Sequence, residues 1–91
     1  MTPPLIADVD AARNEIRAKV LELARRRGLK VAAVRDDEVI PEAGLLDSAA
    51  VMELIVWLET RFDVVIDQVD LTIENFGTVD AMVGYVTRAM A

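Results

Sequence analysis

The sequence predicts an all-α fold: a four-helix bundle of three longer helices and one short third helix, with a long loop between helices 1 and 2. Apolar residues recur at steps of three and four in three stretches, which is typical of amphipathic helices. The only strand-like run, residues 63–67, has no partner strand and is predicted to be an extended loop. Because the chain has 91 residues, we expect a single domain spanning residues 1–91.

The first helix is predicted from Asp8 to Arg27, followed by Gly28 as a helix stop. Three consecutive arginines, Arg25–Arg27, lie at its C-terminal end, where the helix dipole favours cations. The arginine run is therefore predicted to be a capped helix end and not a nucleic-acid patch. Its apolar stripe consists of Val9, Ala12, Ile16, Val20 and Leu23.

The long loop runs from about Leu29 to Asp47 and contains Pro41. Connections longer than about 12–15 residues are uncommon in compact domains and are often functional. We expect apolar side chains to dock the loop on the core; they are Val31, Val34, Val39, Ile40, Leu45 and Leu46.

The second helix is predicted from Ser48 to Phe62 and has apolar residues on two sides. One side is the expected core face, made of Val51, Leu54, Ile55, Leu58 and Phe62. The opposite side carries a second stripe and an acidic rim: Ala49, Met52 and Val56 with Glu53, Glu59 and Asp63. An apolar stripe beside charged residues usually marks a contact surface. The alternative is a central helix packed on both sides.

The short third helix is predicted between the cap Thr72 and the stop Gly77, with its apolar residues facing inward. Those inward residues are Leu71, Ile73 and Phe76. The last helix is predicted from Val79 to Met90, with Thr78 as its cap. Its apolar stripe is Val79, Met82, Val83, Val86 and Met90.

The formal net charge of −6 is unevenly distributed. Residues 1–35 have eight basic and four acidic side chains, whereas residues 36–76 have one basic and eleven acidic, a net charge of −10. The acidic middle disfavours nucleic acid and suits a basic protein surface. The alternative is a solvated face that maintains solubility. Apolar runs do not approach the roughly 20 residues of a membrane span.

The chain has no histidine and no cysteine, which removes thiolate zinc sites and the usual base of a serine hydrolase. EF-hand spacing is also absent, and we predict no metal ligands, although carboxylates leave a calcium or magnesium site open. Lysine could replace histidine as a base, but Lys19 and Lys30 do not form a Ser-x-x-Lys arrangement. We therefore predict that the chain is not an enzyme. The lack of cysteine and of a secretory signal fits a cytoplasmic location.

Ser48 can then have two roles. It can be only the N-cap of its helix, since serine is a favoured cap, although Asp47 could cap the same helix end. It can also be a substrate, because a serine at a helix start after a long loop is accessible to another enzyme that supplies the base. A phosphate attached there would lie at the positive end of the helix dipole.

The segments "GLLDS" (44–48) and "VMELIVWLETRFDV" (51–64) resemble the 4′-phosphopantetheine attachment region of acyl and peptidyl carrier proteins. The likeness rests on the Asp-Ser step, the Glu-hydrophobic step five residues later and the "LE-x-x-F" phrase. It continues through "DLTIENFGTVDAMVGYV", with the Thr-x-x-x-Phe spacing and the final aromatic-Val pair, and covers about residues 40–87.

The resemblance implies a right-handed four-helix bundle in which Ser48, flanked by Asp47, bears a 4′-phosphopantetheine arm derived from coenzyme A. It implies that cargo is held on this arm as a thioester. The partner-binding residues would be Ala49, Met52, Glu53, Val56 and Glu59. Two positions depart from the family's pattern: Ala49 stands where many members have leucine, and Asp67 where many have proline. The first departure changes the contact surface.

The resemblance also implies three kinds of partner: a phosphopantetheinyl transferase, a loading ligase or transferase, and a downstream synthase or transferase. We expect a discrete, monomeric acyl or aminoacyl carrier in fatty acid, polyketide or nonribosomal peptide biosynthesis. The alternative is an unmodified helical protein-interaction domain in which Ser48 is only an N-cap.

Overall fold

A computed structural model describes residues 9–90, which contain helices and no strands. The all-α prediction is therefore confirmed, although the number of helices differs from the prediction. The helices are α1 (Val9–Arg26), α2 (Ile40–Ala43), α3 (Ser48–Phe62), α4 (Ile73–Phe76) and α5 (Val79–Met90), with a 3₁₀ turn at Gln68–Asp70. The long helices α1, α3 and α5 correspond to the three predicted ones, and α5 packs against both α1 and α4.

The C-terminal end of α1 matches the prediction to within one residue, whereas the predicted start at Asp8 lies outside the described residues. Gly28 has a φ of 91°, a left-handed conformation that glycine adopts without steric cost. Its backbone N–H donates to the Arg25 carbonyl at 2.9 Å, and the next N–H, of Leu29, donates to the Ala24 carbonyl at 3.3 Å. These bonds satisfy carbonyls that would otherwise be unpaired at the helix end.

The predicted long loop was wrong in one respect, because the one-turn helix α2 interrupts it. Pro41 lies in the first turn of α2, where a missing N–H costs nothing. Gly44 ends the helix with a φ of 68°, and its N–H bonds back to the carbonyls of α2. Proline and glycine here mark the start and the stop of a short helix.

The core is formed by the facing stripes of α1, α3 and α5 and by side chains of the first loop. Four of the six predicted loop anchors are buried, namely Val34, Ile40, Leu45 and Leu46, whereas Val31 and Val39 are half-buried. On α3 the predicted core face is correct except that Val51 is half-buried and Ala50 is buried. The stripe of α5 is correct apart from the half-buried Met90.

Backbone and ionic contacts hold the first loop against the junction of α4 and α5. The Ile40 N–H donates to the Gly77 carbonyl at 2.8 Å, and the Asp80 N–H donates to the Asp36 carbonyl at 3.0 Å. The Asp36 carboxylate in turn accepts a hydrogen bond from Nε of Arg17 at 2.8 Å. The loop before α3 is therefore fixed at several points, which limits where α3 can begin.

Residues 64–67, after α3, form a loop and no strand, as predicted, and the 3₁₀ turn at Gln68–Asp70 follows them. Thr72 caps α4 by accepting a hydrogen bond from the Asn75 N–H at 3.3 Å, and Gly77 follows the helix, both as predicted. The predicted inward orientation was wrong for Leu71 and Ile73, which are exposed; Ile73 is 64% exposed. A one-turn helix packs against the core with a single side, and here that side carries the half-buried Phe76, which packs on the Tyr85 ring.

Candidate functional site around Ser48

The segment Gly44–Ser48 runs from the surface into the core and back to the surface. Gly44 makes the left-handed turn that ends α2. Leu45 and Leu46 then enter the core, and Asp47 and Ser48 emerge at the surface. The two leucines anchor the segment through apolar burial. The polar residues that follow are consequently presented at a fixed place.

Asp47, not Ser48, is the N-cap of α3. Its Oδ1 accepts a hydrogen bond from the Ala50 N–H at 2.8 Å, and its carbonyl accepts one from the Val51 N–H at 2.9 Å. Of the two caps that the sequence allowed, the structure has Asp47, so the alternative in which Ser48 is the N-cap does not hold. Both residue types are good caps, but the aspartate also brings a negative charge to the positive end of the helix.

Ser48 is the first residue of α3 and the only serine of the chain. Its side chain is exposed, and within residues 9–90 its hydroxyl makes no hydrogen bond to another protein group. Because Asp47 already satisfies the helix end, the Ser48 hydroxyl is accessible to chemistry from outside.

The described residues provide no general base for this hydroxyl. Lys19, one of the two lysines rejected as a base from the sequence, lies on α1 and is paired with Glu22 at 3.1 Å. Between residues 9 and 90 there is also no group of three or more carboxylate, histidine or cysteine side chains that could hold a metal ion. The arrangement suits a hydroxyl that receives a group from another enzyme.

The arginines at the end of α1 reach across to the acids around Ser48. Arg26 donates to Glu53 and to Glu22, each at 2.6 Å, and the hydrogen bond with Glu53 raises the pKa of the Arg26 guanidinium. Nε of Arg27 lies 3.7 Å from Oδ2 of Asp47. The sequence indicated a capped helix end. The pair of Arg26 with Glu22 is local to α1, but Arg26–Glu53 and Arg27–Asp47 join residues more than 15 positions apart, which no local pattern reveals.

The predicted contact face of α3 is largely exposed. Met52 and Val56 are 52% and 57% exposed, and Ala49 is exposed beside them. Glu53 lies on the same face and is paired with Arg26. Glu59 is placed differently: it is half-buried, and its carboxylate accepts the Ile66 N–H at 2.9 Å. Glu59 thus helps to hold the loop that follows α3.

An apolar cleft of about 200 Å³ opens between α3, α4 and the segment before Ser48. The lining is almost entirely hydrocarbon and includes Leu46, Val51, Met52, Ile55, Ile73 and Phe76. The sequence did not predict this cleft, because it forms between helices that are distant in the chain. The exposure of Ile73 is explained by its position in the cleft wall.

Replacing Asp47 by alanine is expected to lower the free energy of unfolding by about 1 kcal/mol, because α3 loses its cap. The change can be measured by urea denaturation. Asp47→Asn is the matched control, since asparagine caps as well as aspartate. Equal stability of the two variants would show that the cap contributes nothing.

Three findings place the chain among known proteins. Residues 15–86 match the family described as "Phosphopantetheine attachment site". The chain is 33% identical to a D-alanyl carrier protein of Streptococcus sanguinis over 74 residues, which is 81% of this chain and 94% of that protein. It is 32% identical, with the same coverage, to D-alanyl carrier proteins of Streptococcus thermophilus and Streptococcus gordonii. No solved structure matches the chain.

Proposed function

Because the chain belongs to the phosphopantetheine-binding carrier protein family, we propose that Ser48 bears its arm and that the chain delivers an acyl or aminoacyl group between enzymes. The family's prosthetic group is 4′-phosphopantetheine, bound covalently, and its members are carriers and not enzymes. The observation that carries the assignment to Ser48 is its exposed hydroxyl. Because Asp47 caps α3, this hydroxyl is not needed for capping.

The chemistry required of Ser48 is a single substitution at phosphorus. Its hydroxyl oxygen forms the bond to the phosphopantetheine phosphorus of coenzyme A. The pyrophosphate P–O bond breaks, and adenosine 3′,5′-bisphosphate leaves with the electron pair. The hydroxyl proton passes to a base of the transferase.

The exposed position of Ser48 fits such an attachment. The side chain lies on the surface at the first position of α3. When attached, the arm supplies a terminal thiol that holds the cargo as a thioester, which a chain without cysteine cannot supply itself. The role of the chain is to present the arm and to be recognised.

The proposal is tested by incubating the purified chain with coenzyme A and a broad-specificity phosphopantetheinyl transferase. We expect an intact mass increased by one phosphopantetheine, followed by a further increase when a cognate ligase loads the cargo. Hydroxylamine should remove the cargo and leave the arm, because it cleaves thioesters. A chain that keeps its unmodified mass would refute the proposal.

Two cargo classes have specific support. The relatives' names favour an aminoacyl cargo, with D-alanyl as the first candidate. The apolar cleft favours an acyl chain, because burial of hydrocarbon contributes about 25 cal/mol per Å² whereas burial of an ammonium group without a partner is costly.

The cargo classes can be separated by their effect on stability. A transferase can attach alanyl- or octanoyl-phosphopantetheine from the corresponding coenzyme A thioester. If the cleft receives acyl cargo, the octanoyl form should melt at a higher temperature than the form with the free arm. The alanyl form should then match the free-arm form. Equal melting temperatures for all three would rule out a cargo role for the cleft.

Carrier proteins work with phosphopantetheinyl transferases and with ligases or transferases. We propose that these partners, and a downstream synthase or transferase, contact α3 through Ala49, Met52, Glu53 and Val56. The net charge of −10 over residues 36–76 favours partners with basic surfaces, so association should weaken with added salt. We further propose a monomer that acts in the cytoplasm.

Between residues 9 and 90, no helix is long and apolar enough to span a bilayer.

Replacing Met52 by lysine is expected to reduce the rate of modification or loading roughly tenfold, because a charge replaces an apolar contact. The helical content should not change, since Met52 is half exposed. Val65→Lys is the matched control, because it adds the same charge at an exposed valine outside α3. Equal rates for the two variants would exclude the exposed stripe as the docking surface.

A further inference from the structure

Arg27 connects the end of α1 to the segment that carries Ser48. Its Nη1 donates to the carbonyl of Gly44 at 3.0 Å, and its Nε lies 3.7 Å from Oδ2 of Asp47. One guanidinium group thus contacts both ends of the four-residue segment that directly precedes Ser48. The planar, multi-donor shape of arginine permits this, whereas a lysine ammonium is a single point of charge.

The two contacts of Arg27 restrain the solvent-facing side of the segment Gly44–Asp47. Its inner side is fixed by the buried Leu45 and Leu46 and by the hydrogen bond from the Leu45 N–H to the Ile40 carbonyl at 3.3 Å. The solvent-facing side ends at Asp47, whose carboxylate also caps α3. Arg27 therefore acts on the group that fixes where α3, and with it Ser48, begins.

The charge of Arg27 has a second consequence. A phosphodiester on Ser48 brings a negative charge next to the carboxylate of Asp47, and like charges at short range repel. The Arg27 guanidinium, at 3.7 Å from that carboxylate, offsets the repulsion. The side chains of Arg27 and Asp47 are 34% and 55% exposed, so water and salt screen part of this interaction and reduce it.

We infer that Arg27 is a positioning residue for the modification of Ser48: it holds the segment Gly44–Asp47 and balances the charge of Asp47 beside the incoming phosphate. This inference rests on the proposed attachment to Ser48. Arg27 does not need to touch the arm for this role, because it acts through Asp47 and the backbone of Gly44.

The test compares Arg27→Ala with Arg25→Ala. Arg25 lies at the same helix end, carries the same charge and also donates to backbone carbonyls, those of Val31 at 3.0 Å and Ala32 at 3.4 Å. Its contacts hold a different part of the loop. With coenzyme A and a broad-specificity transferase, kcat/KM for modification should fall roughly five- to tenfold in Arg27→Ala, as expected for the loss of one charge-assisted hydrogen bond. Arg25→Ala should stay within about twofold of the wild type.

Two further readouts separate positioning from general destabilisation. Arg27→Lys should recover part of the rate, since it restores the charge but not both contacts. In the unmodified protein, amide hydrogen exchange at Leu45, Ala50 and Val51 should accelerate in Arg27→Ala and not in Arg25→Ala, because these amides belong to the restrained segment and the capped turn.

The inference is overturned if both alanine variants are modified at the same rate, or if exchange in the segment is unchanged by Arg27→Ala. A wild-type chain that accepts no phosphopantetheine would overturn the proposed function and this inference with it. Normal modification of the wild type with equal rates in both variants would overturn the inference alone.

Discussion

Replacing Ser48 by alanine is expected to abolish addition of the phosphopantetheine arm and, with it, all loading of cargo. The physical reason is the loss of the only serine hydroxyl of the chain, at a position where no other described side chain can replace it. The fold should survive, because alanine is a good helix former and Asp47 keeps capping α3. Intact-protein mass spectrometry after incubation with coenzyme A and a transferase measures the effect.

Thr60→Ala is a suitable control for this experiment. Thr60 is an exposed hydroxyl residue on the same helix, and its Oγ1 donates to the Val56 carbonyl at 3.0 Å. This variant should take up the arm as the wild type does. If the Ser48→Ala variant still gained the phosphopantetheine mass, the attachment point would lie at another residue.

The second large effect is expected on stability. Replacing Leu58 by alanine should lower the free energy of unfolding by about 2–5 kcal/mol, because it opens a cavity in the core. Leu58 is 0% exposed, at the centre of the buried face of α3. In a small domain with a total stability of about 5–15 kcal/mol, this is a large fraction. Urea denaturation followed by circular dichroism measures the change.

Val65→Ala is the control for Leu58→Ala. Val65 is also aliphatic but is 88% exposed, so its truncation should change the stability by no more than about 0.5 kcal/mol. If the two variants were equally stable, Leu58 would not lie in the core and the arrangement of α1, α3 and α5 would be incorrect.

The long helices could be predicted because their apolar periodicity extends over several turns. The bounds predicted for α3 and α5 match the structure, and Thr72 and Gly77 were correctly assigned as the cap and stop of α4. The helix α2 was missed because four residues are too few to show a period. Its proline and glycine are equally compatible with a turn and with the two ends of a short helix.

The site could be predicted only in part. The sequence indicated which residues belong to it, but not which side chains form hydrogen bonds or ion pairs with one another. The Asp-Ser step located the place, yet the sequence did not decide which of the two residues caps α3. The pairs of Arg26 with Glu53 and of Arg27 with Asp47 depend on how α1 packs beside α3. The apolar cleft likewise depends on tertiary packing, which leaves no local signal.

Fragment mass spectrometry of the modified wild-type chain tests the central claim most directly. After modification by the transferase and coenzyme A, the chain is digested and each peptide is sequenced in the spectrometer. We predict that the whole phosphopantetheine mass is found on the peptide that contains Ser48 and is assigned to that residue. A modified residue at any other position, or a chain with no modified peptide, would contradict the account.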